Sequence, residues 1–442
     1  MVTISRKEYE ELKALIQRLQ EENRLLKNGK KSNTSNTPPS HDLGRSNQQN
    51  SREKTGNKSG GQPGHQGSTL QMKEVPDEII EHKPSFCTNC SASLEESLSV
   101  VNERKQEVVI PPFEAKYVEH QAYSRTCSCC GFVTTGEFPK NIVAPIQYGE
   151  NVVSTITYLS ICQHLPYNRI KKLMNDLFQL PLSEGTIDNI IEKMTQRALP
   201  MYQEIRNRIA ISGIVGGDET GTKINTRKGW FHVWQNSKLT FIASSLNRGY
   251  ATVEEYFSNG FNNAIYVSDC WSAQLKIPAH KHQLCFAHLL RELKNFEDAF
   301  NCEWSSKVKK LLQKSIALKK GILPYDNLNI TNTIREIENE LDKLLEVDTG
   351  KFHKKQKAFI KRLIKNRQNI FVFLYHSEVP YDNNGSERAI RNVKVKNKVS
   401  GCFRSEKGAF SFAVLRSVID TTIKNTQDVF GTIQLIAQIR PE

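Results

Sequence analysis

The sequence predicts a multidomain α+β protein, and three observations carry that reading. Between residues 211 and 269 stand short apolar runs rich in Val, Ile and aromatics: "ISGIVGGDETGTKI", "GWFHVWQN", "LTFIASS" and "NAIYVSD". Runs of this composition read as strands. Amphipathic helical patterns flank them, over 149–207 on one side and most of 285–378 on the other. Ahead of both lie two Cys-x2-Cys pairs, the mark of a small metal-bound module. A chain of 442 residues has room for roughly two to four cores.

Charge narrows the partners. Lys and Arg outnumber Asp and Glu by 61 to 47, a formal charge of +14, with a pI near 9.2. That excess suits a polyanion, either nucleic acid or an anionic membrane surface. No run of eighteen apolar residues offers a membrane span. The opening "MVTISRKEYEELKALIQ" lacks the basic-then-apolar order of a signal peptide. The expected compartment is a reducing cytoplasm. There clustered cysteines among the ten present bind metal more often than they form disulfides.

In chain order, residues 1–28 predict a coiled coil. Tyr9, Leu12, Ile16, Leu19, Asn23 and Leu26 follow the three–four spacing of a heptad seam, with Asn23 at a register-fixing position. A single amphipathic helix packed on its own domain fits the same spacing. Residues 29–75 form a flexible basic tether, because 29–68 contain one large aliphatic residue, Leu43, and no aromatic. Residues 76–145 form a zinc-ribbon-like module. Cys87 and Cys90 with Cys127 and Cys130 supply four thiolates for one structural Zn²⁺. Cys129 leaves the register of the second pair open, and "KQEVVIPPFEAKYVEHQAYSRTC" between the pairs reads as strands.

Residues 146–208 read as a helical, helix-turn-helix-like region, split by "LPLSEG" with Ser183 as the N-cap of its second helix. DNA reading and plain helical packing both fit, since the second helix carries Glu184, Asp188 and Glu192, a poor face for phosphates. The strand-rich core then runs over 209–284. A helical insertion follows at 285–378, with eight Lys/Arg and no acid in 351–367. The second part of the core is 379–425, and 426–442 is a C-terminal tail.

Asp218 and Asp269 each close a strand pattern, "GIVGGD" and "NAIYVSD", with no Arg or Lys adjacent. A carboxylate at the rim of a buried sheet is costly unless paired or bound to a cation. A turn-capping role would account for either aspartate alone. The segment "PYDNNGSERAIR" adds a third acid, Glu387, in the first turn of a helix, where the helix dipole favours it. Beyond it Arg388, Arg391, Lys394, Lys396 and Lys398 crowd a surface suited to DNA phosphates. An acid beside such a surface weakens DNA binding unless a cation intervenes. Two Mg²⁺ or Mn²⁺ ions held by Asp218, Asp269 and Glu387 would reconcile acid with polyanion. Glu219, next to Asp218, is a further candidate for the same site.

The chain resembles the transposases of the insertion-sequence-66 family, a branch of the DDE transposases. The matching stretches are "SNTSNTPPSHD" and "GGQPGHQG" in the tether, the paired cysteines, "GDETGTKI", "YVSDC", "CFAHLLREL", "PYDNNGSERAIRNVKVKNKVSGCFRSEKGA" and "SVIDTTIKN". They span nearly the whole chain, and the motif around Glu387 is the most specific. The resemblance implies an RNase H-like mixed-sheet core with Asp218 on its first strand and Asp269 at the end of its fourth. Glu387 would follow the helical insertion. It implies an enzyme that cleaves DNA at the ends of its insertion element and joins the freed 3′-hydroxyls to target DNA. Its partners would be the terminal repeats and target DNA, a homodimer or larger synaptic assembly, and small accessory proteins. The family's Cys-x2-His motif falls on Cys285 and His288 and is assigned no catalytic role. A structure-specific nuclease and a zinc-containing DNA-binding regulator with an idle catalytic fold are the competing expectations.

Overall fold

The computed structural model describes residues 6–29, 64, 70–111, 114–321 and 328–439. The tether motifs "SNTSNTPPSHD" and "GGQPGHQG" therefore lie outside the described residues, Gly64 apart. Two compact units are present, 49–114 and the remainder of the chain.

Helix α1 spans Arg6–Gly29. Its seam residues Tyr9, Leu12, Ile16 and Leu19 are all about half exposed; the side chains of Asn23 and Leu26 lie outside the described set. Strands β1 (Ser124–Thr126) and β2 (Val133–Thr135) pair as a short antiparallel hairpin. Of the stretch 105–127 expected as strands, only β1 forms among the described residues. Val108, Ile110, Tyr117 and Val118 are exposed there, so no buried face rewards an alternating strand.

Three helices follow: α2 (Glu150–Thr157), α3 (Tyr167–Phe178) and α4 (Glu184–Ala210). A π-helical turn, Tyr158–Cys162, continues α2. Ser183 caps α4 as its sequence suggests, its hydroxyl accepting the Thr186 N–H at 2.9 Å. Ile156, Ile170, Met174, Ile187 and Ile190 close a small core among these helices.

The central sheet has five strands in the order β5-β4-β3-β6-β7. They are β3 (Ile214–Ile224), β4 (Arg227–Gln235), β5 (Thr240–Ser245), β6 (Phe261–Ser268) and β7 (Ala279–Leu284). β3–β4 and β4–β5 pair antiparallel, while β3–β6 and β6–β7 pair parallel. Asn225 and Thr226 turn the β3–β4 hairpin with φ of 47° and 64°, the two positive values a tight hairpin favours. Successive residues of β6 alternate between two cores: Ala264 and Tyr266 face one, Ile265 and Val267 the other. The sheet is thus buried on both faces, which is why its strands read as near-continuous apolar runs.

Helix α5 (Tyr250–Tyr256) follows β5. After β7 come α6 (Phe286–Phe300), α7 (Glu303–Gly321), α8 (Leu328–Leu345), α9 (Lys354–Lys365) and the short α10 (Val372–Tyr375). Their apolar stripes join Ile265, Val267 and Leu284 in one core. Then come α11 (Asn384–Ser400), α12 (Glu406–Lys424) and α13 (Val429–Gln438). Helix α12 lies along β5, where Ser417 Oγ accepts the Ile242 N–H at 2.9 Å. The expected tail is instead a packed helix, with Ile433, Ile436 and Ala437 of α13 buried in the α4–α12 core.

Candidate active site

Asp218 does not close a strand. It sits inside β3, opposite Val233 of β4, because pairing continues to the hairpin at Asn225. Asp269 immediately follows β6, the fourth strand of the sheet, and its Oδ1 accepts the Trp271 N–H at 2.9 Å. Glu387 lies in the first turn of α11. Asp269 and Glu387 both lie near enough for their charges to act on Asp218. Burial pushes the Asp218 carboxyl up to about 8, and the charges of Glu219, Asp269 and Glu387 push the same way, against one hydrogen bond from the Glu219 N–H.

The polar segment before α11 brings Glu387 there. Asn383 is buried, and its side-chain amide donates to the Gly217 carbonyl at 2.7 Å, next to Asp218. Ser386, fully buried, donates to Asn383 Oδ1 at 2.7 Å. The Asn383 N–H donates to Cys285 Sγ at 3.2 Å, and the Phe286 N–H to the Tyr381 carbonyl at 2.9 Å. A β-carbon at position 216 would collide with Asn383 Oδ1, so Gly216 leaves the room the clamp occupies. Further along, Thr222 donates to Asn397 at 2.8 Å, and the Phe403 N–H donates to the Lys223 carbonyl at 2.9 Å. Helix α11 is thus laced to β3 along its length.

Cys285 now has a physical role. Burial pushes its thiol up to about 12, which keeps it neutral and suited to accept the Asn383 N–H. His288 lies near Asp269 and Glu387; burial and the Arg291 guanidinium hold its imidazole below the usual range. Its buried Nδ1 has no hydrogen-bond partner among the described residues.

Glu219 points to the opposite face of β3 from its neighbour Asp218, as strand pleating requires. It is bound there: Gln274 Nε2 donates to it at 2.6 Å and Arg248 pairs with it at 3.0 Å. Glu387 also has a partner that spacing concealed, Arg291 of α6 at 3.4 Å. Among the described residues no group of three or more His, Cys, Asp or Glu side chains is gathered closely enough to hold a metal ion.

A model of the IS66 transposase family matches residues 145–411, more than half of the 442 residues. The chain belongs to the IS66 family of transposases. It is also 24% identical over 402 residues to the uncharacterized protein y4hP of Sinorhizobium fredii (strain NBRC 101917 / NGR234), covering 80% of this chain and 71% of that protein. The span matched to the IS66 transposases takes in Asp218, Asp269, Glu387 and all of α11. A transposase processes DNA, and no described helix is long and apolar enough to cross a membrane.

The structure divides the basic residues of α11 by exposure. Arg388, Arg391, Lys394 and Lys398 are exposed at spacings of three, three and four, one stripe of the helix. Lys396 is turned inward, its Nζ donating to the carbonyls of Leu165 at 3.2 Å and Ser160 at 3.4 Å. It ties α11 to the helical region instead of facing solvent. The acidic face of α4 is also occupied from within. Glu192 pairs with Lys407 at 2.5 Å, Glu184 with Arg404 at 3.8 Å, and Asp188 accepts the Tyr167 hydroxyl at 3.2 Å. The exposed Arg169, Lys171 and Lys172 belong to α3.

The backbone around each cysteine pair folds alike. The Cys87 N–H donates to the Ala92 carbonyl and the Cys127 N–H to the Phe132 carbonyl, both at 2.8 Å. The Ser91 N–H returns to Cys87 and the Gly131 N–H to Cys127, both at 2.9 Å, and Ser91 and Gly131 both have positive φ. Backbone N–H groups of Asn89 and Cys90 lower the Cys87 thiol, and those of Cys130 and Cys129 lower Cys127. By this match Cys129 occupies the position of Asn89.

Proposed function

We propose that this IS66 transposase is an active DDE enzyme with an RNase H-like core. It cleaves DNA at the ends of its insertion element and joins the freed 3′-hydroxyls to target DNA. The observation that supports the reading is that the charges of Asp269, at the end of β6, and Glu387, in α11, both act on the buried carboxyl of Asp218 in β3. The repulsion that bears on the buried Asp218 carboxyl would be relieved by bound cations. Carboxylate oxygens are the donor class Mg²⁺ or Mn²⁺ prefers, and two such ions would have to draw the three side chains together, since the described residues do not gather them to metal-binding distance by themselves. When bound, such ions neutralise the phosphodiester and lower the pKa of an attacking water or hydroxyl. The chain's own residues orient: the Asn383–Ser386 clamp fixes Glu387, and Arg388, Arg391, Lys394 and Lys398 take phosphates.

Other parts follow from the same reading. The paired turns at Cys87–Cys90 and Cys127–Cys130 offer four thiols as the donor set for one structural Zn²⁺, with Cys87 and Cys127 lowered by backbone N–H groups. The half-exposed seam of α1 suits a second copy of the helix, giving a homodimer or larger synaptic assembly. In the helical region, α3 carries the basic face for DNA.

The test is incubation of purified protein with Mn²⁺ and labelled DNA from the element's end. Joined product is the expected result. Cleavage without joining would make it a nuclease, and binding alone would make it a regulator.

A further inference from the structure

On the face of the β3–β4 hairpin opposite Asp218 lies a strip that the carboxylate site does not use. Trp230 stands across from Gly221 and packs over it, since the indole is what a β-carbon there would meet first. The Arg248 guanidinium lies 4.7 Å from the centre of the Trp230 ring and 4.2 Å from that of Trp271. Lys228 Nζ is 5.1 Å from the same Trp230 ring. Cation–aromatic contacts of this length orient the cations. The strip ends at the active site, because the Trp271 N–H is the donor to Asp269.

Arg248 is half solvated, its side chain 47% exposed, while its partner Glu219 is 3% exposed. Its Nε and Nη2 both donate to Glu219 Oε1, at 3.2 and 3.0 Å. A guanidinium carries five N–H donors in a planar fork, and among the described residues Nη1 has no hydrogen-bond partner. Glu219, itself braced by Gln274, therefore holds the fork in one orientation with an edge free. Gln274 is held in turn by the Tyr266 hydroxyl at 2.7 Å. Gly217 leaves space for that hydroxyl, because a β-carbon there would strike it.

We propose that Arg248, with Lys228 beside it, binds the phosphate backbone of the DNA strand that enters the carboxylate site. Trp230 and Trp271 act as the rigid sides that fix the guanidinium, and Glu219 is a positioning residue, not a metal ligand. The proposal rests on the transposase reading above. Its chemistry is sequence-independent: an oriented fork matches two oxygens of one phosphate.

The experiment uses the full-length protein and a labelled duplex of the element's end, with binding followed across salt concentrations and strand joining followed in Mn²⁺. Arg248→Gln should weaken binding roughly tenfold or more and flatten the log–log salt slope by about 0.9, with unchanged thermal stability in Glu219→Gln/Arg248→Gln. That double variant decides the matter. It removes the buried acid together with its counter-ion, so a purely structural pair would regain wild-type binding and slope. A DNA-binding Arg248 leaves the double variant as weak as Arg248→Gln. Wild-type binding in the double variant, or an unchanged slope in Arg248→Gln, overturns the proposal. Because binding is read without chemistry, absence of joining by the wild type would count against the transposase mechanism and leave this result standing.

Discussion

At Asp218 burial and three neighbouring acids act in the same direction, and the consequence is measurable before any DNA is added. The folded carboxyl is pushed up to about 8 from an ordinary 3.8. Between those values the native protein holds a proton that the unfolded chain has released. The stability contribution is therefore complete below the lower value and is lost as pH rises through the upper one. Metal-free protein should lose stability across this window, and Asp218→Asn should flatten the loss. At pH 8 the variant should melt higher by roughly 1–2 °C for each kcal/mol of repulsion removed. Calorimetry against pH checks it; a wild-type curve that is flat from pH 4 to 8 would contradict the burial of this acid among others. The same change, like Asp269→Asn and Glu387→Gln, should abolish cleavage and joining while DNA binding persists. Normal turnover by any of the three would remove that residue from the site. Stability and activity thus move in opposite directions at one position, the pattern of a group placed for chemistry.

Helix α11 shows how an element converts a polar stretch into geometry. The Asn383 amide and Ser386 hydroxyl are buried and bonded to each other and to Gly217. Asn383→Ala would strand the Gly217 carbonyl and Ser386, a cost of about 1–3 kcal/mol, and would free Glu387 to drift from Asp218. The expected outcome is a variant that melts lower, still binds DNA, and loses most of its joining rate. Full activity with the lower melting point would show the clamp to be structural only. The basic stripe on the same helix separates by exposure. Lys394→Gln and Lys398→Gln should each flatten the salt slope of DNA binding by about 0.9. Lys396→Gln should leave the slope alone and lower stability, since its ammonium is spent on the Leu165 and Ser160 carbonyls. Arg391 is four residues beyond Glu387, and Arg391→Lys should lower the joining rate more than affinity because an ammonium cannot make two parallel bonds to a phosphate. Equal losses in rate and affinity would make α11 a binding surface and no more.

Across the whole molecule, what was legible in the chain was what periodicity and charge encode locally. Strands β3 to β6 showed as apolar runs because both sheet faces are buried, while edge strand β7, "AHKHQL", is mostly polar and gave no such run. Asp218, Asp269 and Glu387 stood out as acids in apolar or basic surroundings. Their companions did not, because Arg248, Gln274 and Arg291 reach the site from segments whose spacing says nothing about one another. Lys396 was misplaced for the same reason: a basic run on a helix does not say which cation faces inward. The cysteine pairs lie between these cases. Their spacing suggested zinc, and the matched turns add a physical reason, since paired N–H donors to Cys87 and Cys127 stabilise thiolates. Many large apolar residues of 70–148, among them Leu98, Val100, Val108 and Tyr117, are exposed, so this region buries too little to order itself by packing alone. Zinc binding would then supply folding free energy there and take no part in the chemistry. Full-length protein should carry one zinc per chain, lost in Cys87→Ser, Cys90→Ser, Cys127→Ser and Cys130→Ser and retained in Cys129→Ser. Metal analysis with limited proteolysis checks both halves: loss of zinc should open 76–142 to cleavage and leave the sheet and its acids protected. Zinc kept by Cys127→Ser and lost by Cys129→Ser would move the ligand by two residues, and a zinc-free wild type with 76–142 protected would show that this segment folds by other means.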